Sequence, residues 1–140
     1  MEIVEIESVN ALKRAFPLIK QLRPYLNEER YFDLLADMIP AGYRMFAVRD
    51  GETLLAVAGI TLTTNLYHGR HVWVYDLVTD EDARSHGVGK QLLEYIEGFA
   101  RERGCERVSL ASGFPRADAH RFYEEKMGYE RVSFVFTKRL

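Results

Sequence analysis

The run Arg84-Ser85-His86-Gly87-Val88-Gly89-Lys90 places two glycines and two permanent cations between a strand-like segment, Val72 to Thr79, and a helix. That helix carries Val88, Leu92, Leu93, Ile96, Phe99 and Ala100 at helical spacing. Glycines allow a tight turn, so the unpaired amide N–H groups at the helix start can converge on one point. The helix dipole adds positive potential there, Arg84 and Lys90 add charge, and no acidic residue enters the helix until Glu94. The chemistry implied is the holding of a phosphate or pyrophosphate. A nucleoside-triphosphate P-loop is excluded, because Arg84 stands where its first glycine belongs and Gln91 follows the Gly89-Lys90 pair instead of Ser or Thr. A dinucleotide fingerprint is excluded as well, since Leu92 occupies the place of the third glycine.

The remaining pattern, Arg-x-x-Gly-x-Gly between a strand and a helix, resembles the acyl-CoA signature of the GNAT N-acetyltransferase superfamily. A second motif of that family follows in order: Ala119-His120-Arg121-Phe122-Tyr123, in a helix that stops at Gly128-Tyr129. The two motifs and the preceding strand cover roughly residues 70 to 130, and linked motifs are far more specific than either alone.

The elements that must position these residues alternate along the chain. Glu2 to Ile6 reads as a short strand. Ser8 can cap a helix with apolar positions Leu12, Ala15, Phe16, Ile19 and Leu22, and Pro17 inside it is expected to kink or restart it. Asn27 can cap a second helix carrying Tyr31, Phe32, Leu34, Leu35, Met38 and Ile39, closed by Pro40-Ala41-Gly42. Tyr43 to Arg49 and Thr53 to Asn65 read as strands joined through Asp50-Gly51, a hairpin signal. Gly104 is the expected cap of the post-loop helix, Arg107 to Ser112 the next strand, and Tyr129 to Leu140 one strand or two very short ones. The pattern is α/β, a single domain over residues 1–140. The resemblance implies a mixed, largely antiparallel sheet of six to seven strands, flanked by about four helices and with splayed central strands.

The resemblance also implies roles. The backbone of Leu77, Val78 and Thr79 would hold the pantetheine arm of acetyl-CoA, and Arg84, Ser85, His86, Gly87, Val88, Gly89 and Lys90 its pyrophosphate. Tyr123 would be the acid that protonates the departing thiolate, because an ordinary tyrosine with a pKa of about 10 remains a donor at neutral pH. A buried core tyrosine is the alternative reading of Tyr123. The family commonly has an asparagine three residues before the motif's alanine; here Arg116 stands there. Trp73 occupies the place of the strand glutamate that some members use as general base. Asp76 is then the candidate base: by strict alternation it shares a face with Val72, Val74 and Val78, where a carboxylate needs a partner or a cleft. A structural acid, or a water chain with no single base, fits the same pattern. Tyr25, Tyr31, Tyr67 and His68 offer aromatic walls for an acceptor, with Glu28, Glu29 and Asp33 nearby in sequence, although each is as readily surface or core.

Composition narrows the partners. With 47% hydrophobic and 29% charged residues and a formal net charge of −2, the 140-residue chain reads as an ordinary globular domain with no basic block for nucleic acid. No apolar run is long enough to cross a membrane. The single cysteine, Cys105, allows no internal disulfide and fits a reducing cytoplasm. No Cys/His/acid spacing suits a metal. The expected activity is acetyl transfer from acetyl-CoA to a primary amine of a small molecule or peptide, and a homodimer is compatible with it. A non-catalytic acyl-CoA-binding or sensing module and an acyl-CoA-free interaction domain are the competing readings.

Overall fold

The computed structural model describes residues 1–140. Five strands form one sheet in the order β1-β2-β3-β4-β5: β1 Glu2–Ile6, β2 Arg44–Asp50, β3 Thr53–Asn65, β4 Gly69–Thr79 and β5 Arg107–Leu110. β1 to β4 are antiparallel neighbours. Asp50 pairs with Thr53, so the β2–β3 hairpin turns through Gly51 and Glu52, with Gly51 at φ +59°. The chain falls into two compact units, Met1–Ser109 and Leu110–Leu140.

In the first unit, α1 (Val9–Leu22) and α2 (Glu28–Met38) pack on one face of the sheet. Both begin at the expected caps: Ser8 Oγ accepts from Ala11 N at 3.0 Å and Asn27 Oδ1 from Arg30 N at 2.8 Å. Leu12, Ala15, Leu18 and Ile19 bury against Met45, Ala47, Val57 and Val78. Pro17 does not restart α1, which runs unbroken through it. The ring costs one rung of the helix, and burial of the apolar stripe on both sides of it outweighs that loss. α3 (Val88–Glu102) covers the opposite face, where Phe46 meets Tyr95 and Phe99 with ring centroids at 5.5 and 5.6 Å.

The sheet has five strands, not six to seven. β5 stops two residues early, and Tyr129–Leu140 forms no strand. Alternating apolar residues make a strand only when a neighbour satisfies its backbone, and no ladder joins this stretch. Val132, Phe134, Val135 and Phe136 are accordingly 56–93% exposed. The second unit otherwise contains α4 (Ala117–Arg121), which continues into a π-helical turn, Phe122–Lys126, closed by Gly128 at φ +73°.

Candidate active site

The glycine loop takes the conformation its sequence implies. A 3₁₀ turn at Glu81–Ala83 leads into it, Ser85 and Gly87 both have positive φ (68° and 79°), and α3 begins at Val88. Gly87 provides no side-chain cap, the first turn holds no acid, and Arg84, Ser85, His86, Gly87 and Lys90 are exposed. The amides of the first turn therefore face outward beside two cations, the arrangement that binds an anion. The loop's entry is anchored to α1: Gln21 Oε1 accepts from Glu81 N at 3.1 Å, and Gln21 Nε2 donates to Asp80 Oδ1 at 3.4 Å.

Upstream, Leu77, Val78 and Thr79 pair with Ala58, Val57 and Ala56 on β3, which uses one edge of their backbone. No strand pairs with the other edge. β5 starts beside Arg70, whose carbonyl accepts from Glu106 N at 2.8 Å, and it is four residues long, too short to reach Leu77. An extended arm could add to that edge as a strand would.

Asp76 departs from the expected alternation. Gly59 pairs with Asp76 and Ile60 with Val74, so Tyr75 is an extra residue, a bulge in β4. Paired residues share a face, hence Val72 and Val74 lie with Ile60 on the α3 side. Asp76 and Val78 lie on the α1 side. There Asp76, 8% exposed, has a partner on each oxygen: Arg23 Nε donates to Oδ1 at 2.9 Å and the Tyr43 hydroxyl to Oδ2 at 2.7 Å. Arg23 Nη2 also donates to the carbonyl of Tyr75 at 2.8 Å. Burial pushes the Tyr43 hydroxyl well above its ordinary range, and the Asp76 charge adds to that. Burial opposes the Arg23 charge, but Asp76 and, to a lesser extent, Tyr25 together more than offset it, and the guanidinium is raised. Sequence reasoning missed Arg23 and Tyr43, which lie 53 and 33 residues from Asp76. One signal was present: a glycine inside a strand pattern, Gly59, marks a bulge or a close approach. A Cβ at Gly59 would overlap the Tyr43 ring and hydroxyl.

Among the aromatic candidates for an acceptor wall, Tyr31 is core: it is 3% exposed and its hydroxyl donates to the Leu12 carbonyl at 2.8 Å. Tyr25 and Tyr67 are exposed, and His68 stacks edgewise on Tyr67. In the second unit Tyr123 is 8% exposed and sits in the π-helical turn, a geometry that recurs at functional sites. Burial raises its pKa, while Arg116, hydrogen-bonded to it, works the other way. The residue standing in the family's asparagine position thus contacts the candidate tyrosine directly.

The profile of the acetyltransferase (GNAT) family matches residues 9–129, and the chain belongs to that family. It is 36% identical over 135 residues to the uncharacterized N-acetyltransferase YhdJ of Bacillus subtilis, covering 96% of this chain and 95% of that one. It is 35% identical over 99 residues to the aminoalkylphosphonate N-acetyltransferase of Salmonella typhimurium, covering 70% of this chain and 62% of that protein. Among solved structures, the aminoglycoside N-acetyltransferase AAC(6')-Iy in complex with CoA superposes with a TM-score of 0.84 at 17% identity, covering 99% of this chain and 93% of that one. A Bacillus halodurans protein described as a transcriptional regulator superposes with a TM-score of 0.83 at 22% identity, covering 99% of each. These likenesses establish the mixed α/β fold of the family. No helix is long and apolar enough to cross a membrane.

Proposed function

We propose that this protein is an acetyl-CoA-dependent N-acetyltransferase that moves an acetyl group to a primary amine of a small molecule or peptide. The observation that carries the reading is the continuity of the anion-binding start of α3 with the open edge of Leu77–Thr79 on β4. The first would take the pyrophosphate of CoA and the second its extended arm. Residues Arg84 to Lys90 anchor the donor and so position the acetyl group without reacting. The neutral amine attacks the thioester carbonyl, the C–N bond forms, the C–S bond breaks, and the ammonium proton passes to solvent.

Tyr123 donates a hydrogen bond to the departing thiolate. Its raised pKa keeps it protonated at neutral pH. A thiol near pKa 8.5, about 1.5 units below an ordinary tyrosine, is the stronger acid, so stabilising the thiolate is an easier task for Tyr123 than full proton transfer. The similarity to an aminoalkylphosphonate N-acetyltransferase favours a small amine as acceptor. Trp73 in place of a strand glutamate favours the second reading, an acyl-CoA sensor without turnover.

A melting experiment with CoA tests the cradle: at hundredfold excess over its dissociation constant, a ligand adds about 2.7 kcal/mol, several degrees for a domain of this size. The expected result is a rise in melting temperature with CoA and acetyl-CoA, and no shift at millimolar CoA would overturn the reading. Thiol release from acetyl-CoA across an amine panel then separates enzyme from sensor.

A further inference from the structure

We infer that Arg23, Asp76 and Tyr43 form a positioning lock that fixes the bulge of β4 and so sets the backbone of Leu77–Thr79 against the acyl arm. The inference rests on the acetyltransferase reading above and assigns three residues to it that act through β4.

The need for such a device follows from the register. β4 is regular from Gly69 to Val74 and again from Asp76 to Thr79, and the two halves are joined through one extra residue, Tyr75. A bulge turns the strand and leaves its extra residue outside the ladder. Left to itself, the joint allows slippage: losing the extra residue, so that Tyr75 paired with Gly59 and Asp76 with Ala58, would turn every side chain from Asp76 to Thr79 to the other face. The carbonyl orphaned by the bulge belongs to Tyr75, and Arg23 Nη2 takes it at 2.8 Å. The same guanidinium holds Asp76 through Nε at 2.9 Å. Arg23 therefore grips two consecutive residues of β4 at once, one by backbone and one by side chain, with the fixed spacing of a planar fork of donors that an ammonium lacks.

The second grip comes from across the sheet. Tyr43, 6% exposed, passes its ring over Gly59 to donate to the other oxygen of Asp76 at 2.7 Å. Gly59 is the direct partner of Asp76 on β3, so the absence of a side chain there is what opens the path. One carboxylate is thus tied to the C-terminal end of α1 and to the segment entering β2. Both ties fix the strand immediately before the three residues whose outer edge is open.

A base role for Asp76 requires its carboxylate to meet the amine. A positioning role requires it to stay with Arg23 and Tyr43, and the two make opposite demands on substitution. Displacing reacting groups by about 1 Å can cost about 10²-fold in rate without touching the anchor of the substrate.

The test begins with the parent protein and CoA by calorimetry; absence of binding there would refute the acetyltransferase reading itself and leave the lock without a function. In a parent that binds and turns over, Arg23→Ala, Arg23→Lys and Asp76→Asn are compared in folded form by circular dichroism. Turnover is then followed across pH. The lock predicts that Arg23→Ala lowers kcat by about 10- to 100-fold, while the CoA dissociation constant, set by the Arg84–Lys90 loop, stays near the parent value. Arg23→Lys recovers part of the loss. Asp76→Asn lowers kcat but keeps the parent's shape of kcat/KM against pH. Full turnover per folded molecule in Arg23→Ala would overturn the lock, as would an Asp76→Asn profile that loses a limb retained by Arg23→Ala, since that is the signature of a base. Should Arg23→Ala fail to fold, Tyr43→Phe is read by the same criteria.

Discussion

Replacing Gly59 by alanine adds one methyl group to a strand, ordinarily a mild change, and here it should be severe. The new Cβ would overlap the hydroxyl, Cζ and Cε1 of Tyr43. The ring cannot yield within its place, because Tyr43 is buried on the α1 side among Met45, Val57 and Val78. It must shift, and the shift both breaks its hydrogen bond to Asp76 and crowds the ring into neighbours already packed around it. Losing a hydrogen bond to a buried charged group costs about 1.5–3 kcal/mol, and overpacking a tight core costs about 1–3 kcal/mol. A loss of about 3–5 kcal/mol follows, which for a chain of this length lowers the melting temperature by about 10–20 °C. Thermal and urea melts of Gly59→Ala measure it. The cause is isolated by a cycle: in a Tyr43→Ala background the same alanine at 59 meets no ring, so its further cost should be small and the coupling about 2 kcal/mol or more. A Gly59→Ala protein melting within about 2 °C of the parent, or full additivity in the cycle, would refute the reasoning.

Gly89→Val, in the first turn of α3, should weaken CoA binding by crowding the amides proposed to hold the pyrophosphate; calorimetry on the folded variant showing parental affinity would displace the phosphate from this loop. Tyr123→Phe keeps the ring packed and deletes the donor, so kcat should fall by about 10²- to 10³-fold with acetyl-CoA affinity retained. Full kcat in the folded variant would return Tyr123 to a packing role. At low pH, Glu5 should matter. Arg44 hydrogen bonds at 2.9 and 2.8 Å hold its carboxyl below the ordinary value of 4.5, against a smaller opposing effect of burial. A depressed carboxyl stabilises the fold above its unfolded pKa and loses that contribution as pH falls through the folded one. Urea melts between neutral pH and pH 3 should therefore show a shallower acid decline in Glu5→Gln than in the parent, and parallel curves would contradict the pair.

Features set by neighbours in sequence were legible. The Ser8 and Asn27 caps, the Asp50–Thr53 hairpin, the strands β1 and β3, and the loop entering α3 each follow from side chains within a few residues of the backbone they control. The bulge at Tyr75 was not, because Val72, Val74, Asp76 and Val78 are all buried at alternate positions, so the sequence alternation runs straight through the point where the buried face changes. The partners of Asp76 were hidden for a related reason: they arrive from α1 and from the residue before β2, and nothing in the local pattern announces them. At Tyr129–Leu140 the alternation was legible but the pairing was not, since a strand depends on an edge elsewhere. For the candidate site, the loop and Tyr123 were found by motif. The open edge at Leu77–Thr79 became visible only when β5 proved to be four residues long.

α3 is held unequally at its two ends. At its C-terminus Gly104, at φ +71°, lets Cys105 N reach back to the Ala100 carbonyl, and Arg70 Nε donates to the Arg103 carbonyl at 2.7 Å. At its N-terminus Gly87 contributes no capping side chain. Local opening in a helix begins where backbone groups lack protein partners, so amide exchange along α3 should run as a gradient, fastest at Val88–Lys90 and slowest near Ala100. The helix is built as a cantilever, clamped to β4 and loose at the tip. An anion seated at that tip would supply the missing restraint and flatten the gradient, making the order of the first turn a reporter of occupancy.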